Sequence, residues 1–318
     1  MHIRPSLIAA ICFFAAASAT TEARILDTPT AGEIPFTLAD DNRIYVTASV
    51  NGADSLRFLV DTGASSIVLN PNSPKLHGHI HQGETASNLG TSGENTIQYS
   101  NDNTVAVGTI LYNSAGCAHI PYPREFWDGV LGLNALSAFN IEINYEDSKI
   151  YCYPKNEPLQ PEKSLVKLAF TYIYNVPFIE LPVRLNGTLH NLTLEVDTGS
   201  DRVIDINTPF VNKHRLLETQ APFAISRITS SDGGGGELHN VYFDEVIIGP
   251  YTMPRVAGAY STLTVGMQSK DDIDGMIGNN MLKRFNMLID FACNYIYLQP
   301  NNNYYTPFYP TLTTPSTP

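Results

Sequence analysis

Two stretches of this chain repeat one pattern, so the fold must place both copies in equivalent positions. The first is residues 58–65 (FLVDTGAS) and the second is residues 194–201 (LEVDTGSD). In each, an apolar run rich in β-forming residues ends in Asp-Thr-Gly, and small polar residues follow. One such tripeptide occurs by chance in many proteins. Two copies in matching contexts, 136 residues apart, indicate an internal duplication.

The duplication extends to both ends of each half. An Asn-Gly pair, which is a strong signal for a β-hairpin turn, precedes each copy at residues 51–52 and 186–187. Residues 128–144 also align without a gap with residues 274–290. Each of these two units predicts a buried strand ending in glycine, a short helix and a further strand. The sequence therefore predicts an all-β protein built from two similar lobes.

Asp61 and Asp197 are the aspartates of the two copies, and they have a chemical use if they meet across a pseudo-two-fold axis. Two carboxyl groups in contact cannot both ionise easily, so the pair holds one proton. The ionised member can take a proton from water, while the protonated member donates to the carbonyl group that the water attacks. A glycine after each threonine lets the backbone turn tightly and donate N–H groups to the carboxylates.

At these residues the chain resembles the aspartic peptidases, both the two-lobed pepsin-like proteins and the retropepsins. The resemblance implies a two-lobed, pepsin-like acid protease fold in which each lobe is a retropepsin-like β-barrel. It implies an aspartic endopeptidase with Asp61 and Asp197 as the catalytic pair, and it requires no metal or organic cofactor. It also implies supporting roles for residues beside the pair: Thr62, Gly63, Thr198, Gly199 and Ser200. The two threonines resemble the buried threonines that tie the two loops together in this family.

The residues after the two motifs predict a difference between the aspartates. The third residue after Asp61 is Ala64, whereas the third after Asp197 is Ser200. In the resembled family a hydroxyl at this position often donates to the carboxylate, which favours the charged form and lowers the pKa. We therefore expect the first-lobe side of the pair to hold its proton to higher pH, and activity to extend into weakly acidic pH.

Each half also has a polar, glycine-containing middle that predicts a hairpin, at residues 89–94 and 230–237. By position these hairpins are candidates for flaps that close over a substrate, and ordinary surface hairpins are the alternative. The candidate substrate-binding flap residues are Gly90, Thr91, Ser92, Gly93, Gly233 and Gly234. No tyrosine lies where a pepsin-like flap carries one. Leu89 is the first candidate for that position and Tyr99 the second.

The domain organisation follows from the repeats and the chain ends. Residues 1–19 predict a signal peptide, because a positive charge, a short apolar run and a small-residue cleavage site follow one another. The other predicted segments are an N-terminal aspartic-protease lobe (31–155), a linker (156–164), a C-terminal aspartic-protease lobe (165–301) and a disordered Pro/Thr-rich tail (302–318). We therefore expect a secreted or periplasmic protein.

The formal net charge of −12 argues against nucleic acid or an anionic membrane as a partner. We expect a polypeptide substrate and a monomer.

Three cysteines follow the predicted cleavage site: Cys117, Cys152 and Cys293. The sequence does not decide whether any of them form a disulfide bond. Two alternatives remain open: a peptide- or protein-binding module on the same fold that does not cut, and a narrow processing enzyme that ignores generic substrates.

Overall fold

The computed structural model describes residues 24–26 and 29–309, and most of the regular structure in this part is β-strand. The predicted signal peptide lies outside the described residues. The first half contributes the strands β1 (Gly32–Leu38), β2 (Ile44–Val50), β3 (Ala53–Val60), β4 (Ile67–Leu69), β5 (Glu84–Leu89), β6 (Glu94–Val107), β7 (Ile110–His119), β8 (Gly129–Leu131), β9 (Asn140–Asn144) and β10 (Lys149–Tyr153).

The second half contributes a matching set of strands. They are β11 (Val166–Ile173), β12 (Val176–Leu185), β13 (Thr188–Asp197), β14 (Ile204–Ile206), β15 (Ala224–Thr229), β16 (Gly235–Ile248), β17 (Tyr251–Ser261), β18 (Gly275–Gly278), β19 (Phe285–Asp290) and β20 (Tyr295–Pro300).

The α-helices of the described chain are short. They are α1 (Leu133–Leu136), α2 (Thr208–Lys213), α3 (Leu216–Thr219) and α4 (Asn279–Leu282). Single 3₁₀ turns lie at Pro74–Leu76 and Met267–Ser269. No helix in the described residues is long and apolar enough to cross a membrane.

The two halves use the same pairing plan. In the first half β2 pairs with β3 and β6, β3 runs parallel to β8, and β4 runs parallel to β7. In the second half β12 pairs with β13 and β16, β13 runs parallel to β18, and β14 runs parallel to β17. The prediction of an all-β protein with two similar lobes is confirmed.

The Asn-Gly turns lie where the sequence predicts them, between β2 and β3 and between β12 and β13. Asn51 and Gly52 have φ values of 50° and 85°, and Asn186 and Gly187 have values of 48° and 79°. Positive φ at both central residues of a two-residue turn matches the right-handed twist of the strands, and asparagine and glycine adopt it most readily. These turns set the register of the strands that lead into Asp61 and Asp197.

A sheet of six antiparallel strands joins the two halves, in the order β1-β10-β9-β19-β20-β11. At its centre Ile143 of β9 lies opposite Met287 of β19, and both side chains are fully buried. Burial of large apolar side chains on the central strands stabilises the association of the halves, since each contributes about 1.5–3 kcal/mol of transfer free energy. The lobes therefore share part of their core.

The C-terminal residues differ from the prediction. We predicted disorder from residue 302, but residues 302–309 pack against the second lobe. Arg284 is buried, and its guanidinium donates to the carbonyl oxygens of Asn303 (3.1 Å) and Thr306 (2.6 Å). The Tyr304 ring lies edge-on to Phe285, 5.7 Å between centroids. A buried guanidinium needs acceptors, and this segment supplies them to one of its nitrogen atoms, Nη1. The remainder of the predicted tail, residues 310–318, lies outside the described part.

The three cysteines that follow the predicted cleavage site are all free. Cys117 and Cys152 are buried, and Cys293 is exposed. Burial raises the pKa of the Cys117 and Cys152 thiols to about 12, because an apolar environment disfavours the thiolate. Both buried cysteines therefore act as small apolar core residues.

The predicted linker, residues 156–164, lies between β10 and β11 and carries no strand or helix.

Candidate active site

The two predicted catalytic aspartates lie at equivalent strand ends. Asp61 follows β3 directly, and Asp197 is the last residue of β13. Each strand is held by its parallel neighbour, β8 or β18, and the Asp61 N–H donates to the carbonyl oxygen of Leu131 over 3.1 Å. The two neighbours are the buried strands ending in glycine that the sequence predicts, and they lie beside the loops and fix their position.

Thr62 and Thr198 join the two loops by four hydrogen bonds. The Thr62 hydroxyl donates to the Val196 carbonyl (2.6 Å) and accepts from the Thr198 N–H (3.1 Å). The Thr198 hydroxyl donates to the Val60 carbonyl (3.0 Å) and accepts from the Thr62 N–H (3.1 Å). Both side chains are fully buried, so every one of these groups needs its partner. The exchange fixes the distance between the loops.

Gly63 and Gly199 let the loops approach closely. A Cβ atom on Gly63 would lie 2.9 Å from Cγ of Asp197, and a Cβ atom on Gly199 would overlap the Asp61 carboxyl group. Real Cβ atoms do not approach other heavy atoms so closely. Any side chain at these positions would therefore push the aspartates apart, and glycine is required by the closeness of the two carboxyl groups.

The two carboxyl groups are hydrogen-bonded to each other, with Asp197 donating to Asp61. The Gly63 N–H donates to Asp61 Oδ1 over 2.7 Å, and the Ser200 N–H donates to Asp197 Oδ1 over 3.0 Å. Burial raises the pKa of Asp61, while the bond from Asp197 opposes this rise. Burial also raises the pKa of Asp197, and the nearby negative charges of Asp61 and Glu195 raise it further. The pair therefore holds one proton, on Asp197.

This proton position reverses our sequence-based expectation, in which the first-lobe side keeps its proton to higher pH. The Ser200 hydroxyl does not donate to Asp197; it accepts a hydrogen bond from the Arg202 N–H over 3.2 Å. The hydroxyl that we expected to lower the Asp197 pKa therefore makes no hydrogen bond to that carboxyl group. A neighbouring carboxyl group, which we had not considered, acts in the opposite direction.

That neighbour is Glu195, which the sequence analysis missed. It lies two residues before Asp197 on β13, and its Oε1 would be 2.9 Å from a Cβ atom on Gly63. Burial raises the pKa of Glu195 to about 8, and the charge of Asp61 adds to the rise. A signal was available in the repeat itself, because the equivalent residue of the first copy is the apolar Leu59.

The pair lies in a cleft of about 880 Å³ whose walls come from both lobes. The predicted flaps are the hairpins β5–β6 and β15–β16, one from each lobe. Gly90 and Thr91 line the cleft, as do Leu89 and Tyr99, the two candidates for the flap tyrosine position. In the second hairpin Ser230 and Ser231 line the cleft, while the predicted Gly233 and Gly234 lie in the turn beyond them.

The tips of the two hairpins contact each other above the cleft. Asp232 of the second hairpin accepts from the Ser92 N–H (3.2 Å) and from the Ser92 hydroxyl (3.1 Å). The Asp232 carboxylate also accepts from the Ser230 hydroxyl and from the Gly234 N–H (2.9 Å). These bonds outweigh the effect of burial and hold the pKa of Asp232 below its usual value. We name this set of contacts the flap latch.

A second set of bonds holds the first flap to the other lobe. The N–H groups of Met267 and Gln268 donate to the carbonyl oxygens of Gly90 (3.0 Å) and Thr91 (3.3 Å). Gly93 at the flap tip lies against Gly266. The first flap is therefore held over the cleft both by the second hairpin and by residues 266–268 of the second lobe.

Two further residues beside the pair were not predicted. Arg43 of the first lobe donates to the carbonyl oxygen of Gly199 over 2.8 Å, and it lies 3.4 Å from Asp201. Tyr122 lines the cleft, and burial, together with the negative charges of the two aspartates, raises its pKa. Neither carries a sequence signal, because each comes from a part of the chain outside the repeated motifs.

The described residues contain no group of three or more His, Cys, Asp and Glu side chains arranged to hold a metal ion. One neutral and one ionised carboxyl group in contact can accept one proton and donate another in the same step. The covered cleft would hold the reacting group away from bulk water.

Comparison with known proteins agrees with this geometry. Residues 46–138 match a family model described as "gag-polyprotein putative aspartyl protease". No curated protein matches the chain. Among solved structures, the aspartic proteinase from Irpex lacteus is similar, with 15% sequence identity and a TM-score of 0.55. The match covers 86% of this chain and 98% of that one. The chain thus has the fold of the pepsin-like aspartic proteinases, and its first lobe carries the sequence pattern of an aspartyl protease family.

Proposed function

We propose that the protein is an aspartic endopeptidase that hydrolyses peptide bonds with a water molecule activated between Asp61 and Asp197. The observation that carries the proposal is the contact of these two carboxyl groups inside a cleft that both lobes form and two hairpins cover. The cleft volume of about 880 Å³ is of the size that binding clefts for extended ligands have.

The proton positions assign a role to each aspartate. The ionised Asp61 takes a proton from the water molecule, whose oxygen attacks the carbonyl carbon, and Asp197 donates its proton to the carbonyl oxygen. The resulting tetrahedral diol then returns a proton to Asp197 while Asp61 protonates the leaving nitrogen. The C–N bond breaks, and an acid and an amine are released. Both aspartates end in the states in which they began.

The test is cleavage of a peptide library, with mass spectrometry to identify the products. The wild type should cut library peptides at weakly acidic pH, and Asp61→Asn and Asp197→Asn should each abolish the cleavage. A diverse library is preferable to one generic protein substrate, because a narrow processing enzyme would ignore the latter. Retention of the wild-type urea midpoint by both variants controls for loss of fold.

Two outcomes would contradict the proposal. Substantial turnover by either folded variant would mean that the pair is not the catalytic unit. Binding of library peptides without any cleavage would instead identify a binding module on a protease fold. This alternative is less favoured by the site, because a binder has no need for two hydrogen-bonded carboxyl groups in its cleft.

We also propose that the protein is exported, to a secreted or periplasmic location, and that it is active as a monomer. Export is supported by the sequence of residues 1–19 alone, and N-terminal sequencing of the mature protein should begin at Thr20. A monomer is supported by the duplication, since one chain supplies both aspartates. Light scattering of the active protein checks this against its mass.

A further inference from the structure

Glu195 points its carboxyl group into the cleft beside the catalytic pair. Side chains two residues apart on a strand share one face, so Glu195 and Asp197 face the same way on β13. Glu195 lines the cleft, and its Oε1 reaches the backbone of Gly63 in the opposite lobe. It therefore lies within reach of a substrate residue next to the bond that the pair would cut.

No donor or cation of the described chain contacts this carboxyl group. The arginines that line the same cleft all have other partners: Arg43 binds the Gly199 carbonyl and Asp201, Arg57 binds the Phe126 carbonyl and the Tyr45 ring, Arg202 binds Asp205, and Arg227 binds Glu237. The Glu195 carboxyl group thus has neither a hydrogen-bond donor nor a counter-charge among the described residues.

An enclosed carboxyl group without a partner is unfavourable when ionised, because it has lost water and gained nothing in exchange. The free protein accommodates Glu195 by holding a proton on it, as its raised pKa of about 8 indicates. An ammonium or guanidinium group bound beside Glu195 would supply the missing counter-charge and favour the ionised form. The chain does not supply this cation, so a ligand would have to.

The equivalent position of the first lobe shows that the acid is not required by the fold. Leu59 occupies that position on β3, lines the same cleft and is 2% exposed. Strand pairing is also equivalent, since Leu59 lies opposite Val130 and Glu195 lies opposite Met276. At these two equivalent positions beside the pair, the cleft wall is thus apolar in the first lobe and acidic in the second.

We infer that Glu195 makes the protease selective for peptides with a basic side chain on one side of the scissile bond and an apolar side chain on the other. This inference rests on the proposed peptidase function and adds its substrate class. Lysine and arginine are the matching residues, because each carries its charge on a stem long enough to reach a side wall of the cleft.

The test compares matched peptides that differ at one residue. Starting from a peptide that the wild type cuts, lysine or norleucine is placed directly before or directly after the scissile bond. Norleucine has the length of the lysine stem without its charge. At one of the two positions, the wild type should cut the lysine peptide with a kcat/KM about tenfold higher or more than that for the norleucine peptide.

Variants of the two equivalent residues locate the origin of this ratio. Glu195→Gln, which keeps the shape and removes the charge, should reduce the lysine-to-norleucine ratio to about one. Glu195→Leu, which installs the first-lobe residue, should do the same or reverse the preference. Leu59→Gln places the same amide at the equivalent position of the other lobe, and it should keep the wild-type ratio.

The results separate the two proposals. If the wild type cuts neither peptide nor any library peptide, the peptidase function itself is wrong. If it cuts the norleucine peptide as well as the lysine peptide at both positions, the peptidase function stands and the role of Glu195 is overturned. A lysine preference that survives in both Glu195 variants overturns that role as well.

Discussion

The two lobes have the same strand plan, yet they differ around Asp61 and Asp197. Both contain a hairpin with an Asn-Gly turn, an Asp-Thr-Gly loop and a flap hairpin. Beside the pair, however, the first lobe places Leu59 and the second places Glu195. The shared features position two carboxyl groups at contact distance. The unshared carboxyl group makes the surroundings of the two aspartates unequal, and it adds to the effects of burial and of Asp61 that raise the pKa of Asp197.

The comparison therefore separates what builds the site from what adjusts it. Where two equivalent residues have matching neighbours, a change in either lobe should have a similar effect, because the residues act across the pseudo-two-fold axis. Where their neighbours differ, equivalent changes should have different effects. The following predictions test both statements.

The largest difference between equivalent changes is expected at the two loop glycines. An added Cβ atom on Gly199 would overlap the Asp61 carboxyl group, whereas one on Gly63 would meet Asp197 and the flexible end of Glu195 at 2.9 Å. Gly199→Ala should lower kcat/KM by roughly a hundredfold, since a shift of about 1 Å between reacting groups has that effect. Gly63→Ala should lose less. Equal losses in the two variants would show that the lobes are interchangeable here.

Thr62 and Thr198 should instead behave alike, because each donates one bond and accepts one across the axis. Thr62→Ala and Thr198→Ala should each lower the free energy of unfolding by about 2 kcal/mol or more, since each leaves buried backbone groups without partners. Urea unfolding measures the effect. Serine at either position keeps the hydroxyl and should restore most of the loss. A large difference between the two alanine variants would contradict the symmetric account.

The loop glycines and threonines belong to the part of the structure that could be predicted from the sequence. The Asn-Gly turns and the Asp-Thr-Gly loops are local patterns, so their positions and their meeting could be predicted from the duplication. Arg284 could not be recognised as the anchor of residues 303–306, because its acceptors come from a segment whose composition suggests disorder. Glu195 could not be predicted from the duplication, because a duplication indicates the residues that the copies share. Glu195 lies at a position where the copies differ, since its equivalent is Leu59.

The flap latch shows the same limit. The sequence predicts two glycine-containing hairpins, but it does not predict that Asp232 of one accepts from Ser92 of the other. That contact depends on how the two lobes are placed relative to each other. It is a property of the assembled lobes and not of either hairpin alone.

A moderate effect is expected at the flap latch. Asp232→Asn should weaken the contacts to Ser92 and speed amide hydrogen exchange at residues 90–93 by about tenfold, since a hydrogen bond to a charged group is worth ~1.5–3 kcal/mol. Ser231→Ala, which removes only a long contact of 3.4 Å to Asn88, is the matched control and should change exchange little. Unchanged exchange in Asp232→Asn would mean that the bonds of Met267 and Gln268 alone hold the flap.

The latch should also depend on pH in a defined direction. The Asp232 pKa is depressed below its ordinary value of 3.8, so the stabilisation is complete above that pH and is lost as the pH falls through the lower, folded-state pKa. The protection factors of the flap-tip amides, which are corrected for the intrinsic pH dependence of exchange, should therefore stay constant down to about pH 4 and decrease below it. In Asp232→Asn this additional loss of protection should be absent.

The smallest effect is expected for a serine at the first-lobe position equivalent to Ser200. Because the Ser200 hydroxyl accepts from Arg202 and does not donate to Asp197, Ala64→Ser should move the pH profile of kcat/KM by less than about half a unit.

Glu195→Gln should shift the alkaline limb of the same kcat/KM profile to lower pH, because loss of this carboxyl group lowers the pKa of Asp197. A larger shift for Ala64→Ser than for Glu195→Gln would reverse this assignment.

The most direct test of the central claim, that the two lobes act as one catalytic unit, is a double-mutant comparison on one well-cut peptide. The kcat/KM is measured for the wild type, Asp61→Asn, Asp197→Asn and the variant that carries both changes. Residues that act together fail together, so each single variant should lose roughly 10⁴-fold or more and the double variant should lose no more than the single ones. Losses that multiply in the double variant, or a folded single variant that keeps most of the wild-type activity, would contradict the claim.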